Sequence, residues 1–158
     1  MSQNNKHEIL LNMLDEGLTM LHFNSRPSEV LVPGFLRDGE GGYHPGAVRL
    51  NFSYRFCLPD MEVTEEYIEG SLSFHGESQF CHIPLFSIWG LSHPYDDSRQ
   101  VIFFEEDCPK DIVLAVPPDL KLSPEEAMKR WEEVKEVEEE QTKKVRASFL
   151  QVLDGGKS

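Results

Sequence analysis

Apolar positions recur at every second residue through much of the first hundred residues, the period of a β-strand. The clearest case runs from Ala47 to Phe56, where Val48, Leu50, Phe52, Tyr54 and Phe56 share one face. Thr19, Leu21 and Phe23 alternate with Leu18, Met20 and His22 in an earlier strand. Ile68, Gly70, Leu72 and Phe74 define one side of a strand from Tyr67 to Phe74. His75-Gly76-Glu77-Ser78 then turns the chain back into a strand from Gln79 to Phe86, and one helical turn follows. Val30-Leu31-Val32 is a short strand stopped by Pro33, which cannot donate a ladder hydrogen bond. Val101 to Phe104 is a buried strand, and Ile112 to Val116 is one more short strand.

The helical period appears only at the two ends. Between His7 and Glu16, Ile9, Leu10, Met13 and Leu14 form one apolar stripe, closed by Gly17. A stripe of that length packs on the domain's own sheet or pairs two subunits. After Pro117-Pro118 the composition changes. Ser123-Pro124-Glu125-Glu126 combines a capping serine, proline at the first helical position and a capping-box glutamate. The helix it starts runs to about Gln151 with a thin stripe through Trp131, Val134, Val145 and Phe149, interrupted by Glu138 and Gln141. That pattern predicts a solvated helix rather than a continuous coiled coil.

The expected fold is therefore mostly β with flanking helices (α+β): an N-terminal helix, a small antiparallel barrel or sandwich, and a charged C-terminal helix. Residues 1–117 form the domain and 118–158 the helical tail.

Charge narrows the choice of function. The 158 residues carry a formal charge of −13, and from Pro124 onward nine acids face seven bases. The first 123 residues thus hold 19 acids against eight bases. A body that acidic repels phosphates, which disfavours nucleic acid and anionic membranes as partners. Cys57, Cys81 and Cys108 are too widely spaced for a CxxC motif and fit reduced thiols. With no apolar leader or membrane-length run, the expected location is cytoplasmic.

No catalytic motif emerges. Cys81 and His82 are adjacent and, on a strand, point to opposite faces, so they cannot act as nucleophile and base. His22, His44, His75 and His93 lack ligand spacing, and buried thiols with surface imidazoles are favoured over zinc ligation. The acids Glu65-Glu66, Asp96-Asp97 and Glu105-Glu106 read as solvated charges. The glycine-rich stretch Asp38-Gly39-Glu40-Gly41-Gly42 has no lysine and two acids, so it is a loop rather than a phosphate cradle. We expect neither enzymatic activity nor a cofactor.

One stretch carries a family pattern: Val32-Pro33-Gly34-Phe35-Leu36-Arg37-Asp38-Gly39, Val48-Arg49-Leu50-Asn51-Phe52-Ser53, Tyr67-Ile68-Glu69-Gly70-Ser71-Leu72-Ser73-Phe74-His75-Gly76 and Ile83-Pro84-Leu85-Phe86-Ser87-Ile88-Trp89-Gly90. It resembles the SspB family, adaptors that deliver tagged substrates to the ClpXP protease, over roughly Ile9 to Glu105. The resemblance implies a partly open, Sm-like or SH3-like barrel after an N-terminal helix. It also implies a homodimer seam at Ile9, Leu10, Met13 and Leu14, and a groove for an extended degradation tag such as that added by ribosome rescue. The matching groove positions are Ser53, Tyr54, Arg55, Phe56, Ser71, Leu72 and Ser73. In that role Tyr54, Phe56 and Leu72 supply apolar pockets and Arg55 forks onto a peptide carboxylate. Read from the residues alone, the same three apolar side chains are core and Arg55 is a surface cation.

The tail departs from the family. Its relatives end in a flexible segment with a basic-hydrophobic motif that docks on a ClpX-type unfoldase. Leu150, Val152 and Leu153 are similar to that motif, but Asp154 follows and no arginine does. The glycine-rich insertion from Gly39 to Gly46 is also longer than the family pattern implies. The alternative function is a non-catalytic structural or regulatory module that assembles through the C-terminal helix.

Overall fold

The computed structural model describes the backbone of residues 2–39, 42 and 44–155, and the side chains of that set within 5–143. Alternation does set the strands. β1 (Thr19–Phe23) and β2 (Val48–Phe52) pair antiparallel with Leu21 opposite Leu50. In β2 burial alternates strictly: Val48, Leu50 and Phe52 point in, Arg49 and Asn51 point out. The expected strand ends at Phe52, however. Ser53 is buried, and its hydroxyl accepts the Arg55 N–H at 3.1 Å, which starts a 3-10 turn over Tyr54–Phe56. A serine that bonds its neighbours' backbone competes with the ladder. Tyr54 and Phe56 therefore leave the inner face and are 46 % exposed.

β3 (Glu62–Val63), β4 (Tyr67–Phe74) and β5 (Glu77–Pro84) form a separate three-stranded antiparallel sheet. The β4–β5 hairpin turns on His75 and Gly76, both at positive φ (53° and 83°), as a two-residue turn requires. A 3-10 turn at Leu85–Ser87 carries the chain into β6 (Ile88–Ser92). β6 joins a five-stranded sheet in the order β2-β1-β6-β7-β8, with β7 at Val101–Phe103 and β8 at Lys121–Leu122. β8 runs parallel to β7 and the other pairs are antiparallel. Among the described residues the two sheets do not close into a barrel.

The core is built from Leu21, Phe23, Phe52, Ile68, Ile83, Leu85, Ile88 and Leu91, all buried. A second cluster gathers Trp89, Phe103, Cys108 and Ile112, and Trp89 Nε1 donates to the Gly46 carbonyl at 2.9 Å.

Four expectations need correction. The N-terminal helix α1 spans Ser2–Glu16, so it starts before the apolar stripe. Its stripe is internal: Ile9, Leu10, Met13 and Leu14 are buried where α1 meets the Leu85–Ser87 turn and β6. Those four side chains are used up within the chain's own core and leave no surface for a dimer seam. Val30 to Val32 does not form a strand. Leu31 alone bridges His82 of β5, with paired bonds of 2.9 and 2.8 Å. Ile112 to Val116 is not a strand either. After the short α2 (Gly34–Arg37), a second single-turn helix, α3 (Lys110–Val113), takes that place, and its Ile112 and Val113 amides bond the Pro109 carbonyl.

The chain forms two units, residues 1–124 and 125–158. The first reaches beyond Pro117 because Lys121 and Leu122 supply β8. The second is helix α4 (Pro124–Gly155), which begins at the predicted proline. Its described side chains from Glu132 to Lys143 are all exposed, Val134 and Val137 included. The chain as a whole is thus mixed α and β. No described helix is long and apolar enough to cross a membrane.

Candidate functional site

β2 ends the five-stranded sheet, and among the described residues its outer edge pairs with no further strand. Across from it β4 is paired by β3 only as far as Ile68 and Glu69, since β3 has two residues. Between these edges lies a groove of about 430 Å³. Leu50 and Leu72, each 8 % exposed, belong to its lining at core depth. Phe56, Leu58 and Phe74 add apolar surface, and Arg49, Asn51 and Ser73 supply polar groups.

Local chemistry fixes this shape. Cys57 sits at φ 51° and its amide bonds the Tyr54 carbonyl at 3.1 Å, closing the turn that swings Phe56 outward. Asp60 then pins the following loop to β4. One carboxylate oxygen accepts the Ser71 N–H at 3.0 Å, and the other accepts the Ser71 hydroxyl. Those bonds hold the exposed Asp60 carboxyl below the usual carboxylate range. Gly70 permits the close approach, because a Cβ there would sit 3.3 Å from Leu58 Cδ1 and 3.4 Å from the Phe52 ring.

Of the seven expected peptide-binding positions, Phe56, Leu72 and Ser73 line the groove. Ser53 is buried and engaged in its turn, and Ser71 is bound to Asp60. Tyr54 lines a neighbouring cavity of about 350 Å³ with Leu11, Cys57, Leu58, Met61 and Val63. The Arg55 side chain is exposed and lines neither cavity. The cation in the groove is Arg49. Leu50, Asn51, Leu58 and Phe74 also belong to it, though sequence reasoning did not assign them. The available signal was Arg49 and Asn51 alternating outward on a strand whose free edge only topology reveals. Leu150, Val152 and Leu153 lie outside the residues whose side chains are described.

Among the described residues none lining the groove carries a carboxylate, although acids outnumber bases more than two to one in the first 123 residues. Its chemistry suits an extended chain: main-chain groups at a strand edge, apolar surface between them, and one guanidinium for an anionic group. Its described lining residues include no acid–base pair. Beneath it, His22 stands opposite Arg49 in the β1–β2 ladder and is buried. Burial, with the Arg49 charge second, lowers its pKa to about 4, and Nε2 lies 2.8 Å from the Ser92 hydroxyl. The free cysteines are Cys57, exposed, and Cys81 and Cys108, buried. Among the described residues no group of three His, Cys, Asp or Glu side chains is placed to hold a metal ion.

No protein-family model matches this chain, and no curated protein matches it.

Proposed function

We propose that this chain is a non-catalytic proteolysis adaptor that binds an extended, tagged substrate peptide along the outer edge of β2. It then presents the substrate to a ClpXP-type AAA+ protease in the cytoplasm. In this reading the two sheets and α1 correspond to the partly open, Sm-like barrel of the SspB family. The observation that carries the proposal is the carboxylate-free groove at an unpaired strand edge. A peptide laid there adds a strand to β2, and its alternate side chains reach Leu50, Leu72 and Phe56. Arg49 receives an acidic side chain or the terminal carboxylate.

An adaptor works by tethering, raising the substrate's concentration at the unfoldase. The tether here is the segment after Pro124. A homodimer, if formed, uses a surface other than the buried stripe of α1.

Fluorescence anisotropy with a labelled rescue-tag peptide tests the reading. Binding at tens of micromolar or tighter is expected, weakened about tenfold by Arg49→Gln or Phe56→Ala. Both side chains are exposed, so neither change should unfold the domain. Removing residues after Pro124 should preserve peptide binding and abolish delivery to the protease. A chain that binds no peptide but loses a larger assembly on that truncation is a scaffold instead.

A further inference from the structure

At the other end of the β4–β5 hairpin lies a second cavity, of about 350 Å³ and opposite character. Glu29, Glu65 and Glu66 line it together with Tyr67, His82 and Phe86, and among the described residues no lysine or arginine does. The turn that displays the glutamates is held from several directions. The Thr64 hydroxyl accepts the N–H groups of Glu66 and Tyr67, both at 3.1 Å, and Thr64 N–H donates to the Tyr67 carbonyl at 2.8 Å. Leu85 N–H donates to the Glu66 carbonyl at 2.9 Å.

The aromatic wall is equally defined, with the Tyr67 and His82 rings 4.5 Å apart. Glu69 lies beside it, its Oε1 3.3 Å from His82 Nδ1, and Glu62 faces Glu69 across the strands. Desolvation, followed by the charges of Glu62, Glu69 and Glu66, pushes the Tyr67 phenol above its usual range. Beside the carboxylates, Phe86 is 40 % exposed, and Leu31, bridged to His82, is 51 % exposed. These exposed apolar groups stand next to like charges that no cation in the cavity neutralises.

We propose that this face docks a cationic polypeptide segment of a partner protein, in which arginine or lysine alternates with aliphatic side chains. The carboxylates and the faces of Tyr67 and His82 take the cations, and Phe86 and Leu31 take the aliphatic groups. A second copy docking through this same face would set glutamates against glutamates, which charge complementarity disfavours. The site is separate from the β2 groove and stands whether or not that groove binds a tag.

The test uses the full chain and a fluorescein-labelled peptide of arginine–leucine pairs spaced by glycine. Control peptides replace arginine with glutamate or leucine with serine, and spermidine serves as a competitor. Saturable binding is expected, weakened about tenfold by the double substitution Glu65→Gln, Glu66→Gln and severalfold by Phe86→Ser. All three residues are exposed, and circular dichroism verifies that the variants fold. Phe56→Ala, in the groove, should leave this binding unchanged. The proposal is overturned if binding does not saturate, or if the glutamine variant binds as well as the parent. Equal affinity for the serine peptide, or displacement by spermidine at equal charge concentration, also overturns it, because either reduces the face to a diffuse negative field.

Discussion

Replacing His22 with glutamine should remove a specific acid sensitivity from the fold. His22 is buried in the internal strand β1, between β2 and β6, with its ring 5.3 Å from that of Trp89. Its pKa falls from 6.5 to about 4, because burial and then the Arg49 charge disfavour imidazolium. Between these values the unfolded chain carries the proton and the folded chain does not. The unfolded state thus binds more protons, and stability rises with pH across that window. Acidification from pH 7 should cost the wild type about 2 kcal/mol by pH 5, approaching about 3 kcal/mol near pH 4. Glutamine retains a polar group toward Ser92 but cannot titrate. Its cost at pH 7 should be constant, about 1 kcal/mol for imperfect packing. Urea denaturation followed by circular dichroism, in steps from pH 7 to pH 4, measures both proteins under identical carboxylate titration. The difference between the two curves should shrink and then reverse as pH falls. Parallel curves would refute the reasoning, as would an NMR titration in which His22 protonates near pH 6.5.

Three further outcomes follow from the packing. Lys6 is fully buried and donates to the Leu85 and Ile88 carbonyls at 2.8 and 2.7 Å and to Asp107. Lys6→Ala removes this buried ammonium from all three acceptors and should cost about 3 kcal/mol, with Lys6→Met less damaging, as urea midpoints will tell. A Cβ at Gly90 would lie 2.8 Å from Val101 Cγ1 and 3.1 Å from His22 Cβ, so Gly90→Ala should lower stability by about 2 kcal/mol by the same measurement. Burial pushes the Cys81 and Cys108 thiols up to about 11, whereas Cys57 is exposed. Ellman's reagent at pH 8 should therefore titrate Cys57 quickly in the native protein and reach the other two only in denaturant.

Much of the strand framework was legible because alternation and turn chemistry agree. Val48, Leu50 and Phe52 face inward as their spacing requires, His75-Gly76 makes the hairpin, and Pro124 opens the long helix. What escaped depended on single polar atoms. The Ser53 hydroxyl ends β2 four residues before the apolar alternation stops, and that one bond moves Tyr54 and Phe56 from core to surface. Lys6 stands just before the apolar stripe of α1 and adds nothing to its period, yet three acceptors distant in sequence draw it into the core. Neither event leaves a periodic trace. Both are tertiary or local hydrogen bonds overriding a pattern that reports only which face is apolar.

The same limit explains why the sequence pointed to Arg55 although Arg49 is the arginine that lines the groove. Alternation assigns Arg49 and Arg55 alike to the outside, and nothing in a linear pattern ranks one exposed cation above another. Rank comes from sheet order, because β2 terminates its sheet and β3 is too short to cover β4 beyond Glu69. Arg49 lies on the uncovered edge, whereas Arg55 lies on a turn past its end. Edges also account for the uneven charge. Under the proposed function, a strand edge that takes a guest chain keeps like charges away from that guest, and the described lining of the groove holds one guanidinium and no carboxylate. The acids displaced from it are not spread evenly, since Glu65 and Glu66 crown a braced turn at the far end of the same hairpin. Two surfaces sorted by sign at opposite ends of one hairpin suit the two guests of opposite charge proposed above, an anionic tag at Arg49 and a cationic segment at Glu65 and Glu66.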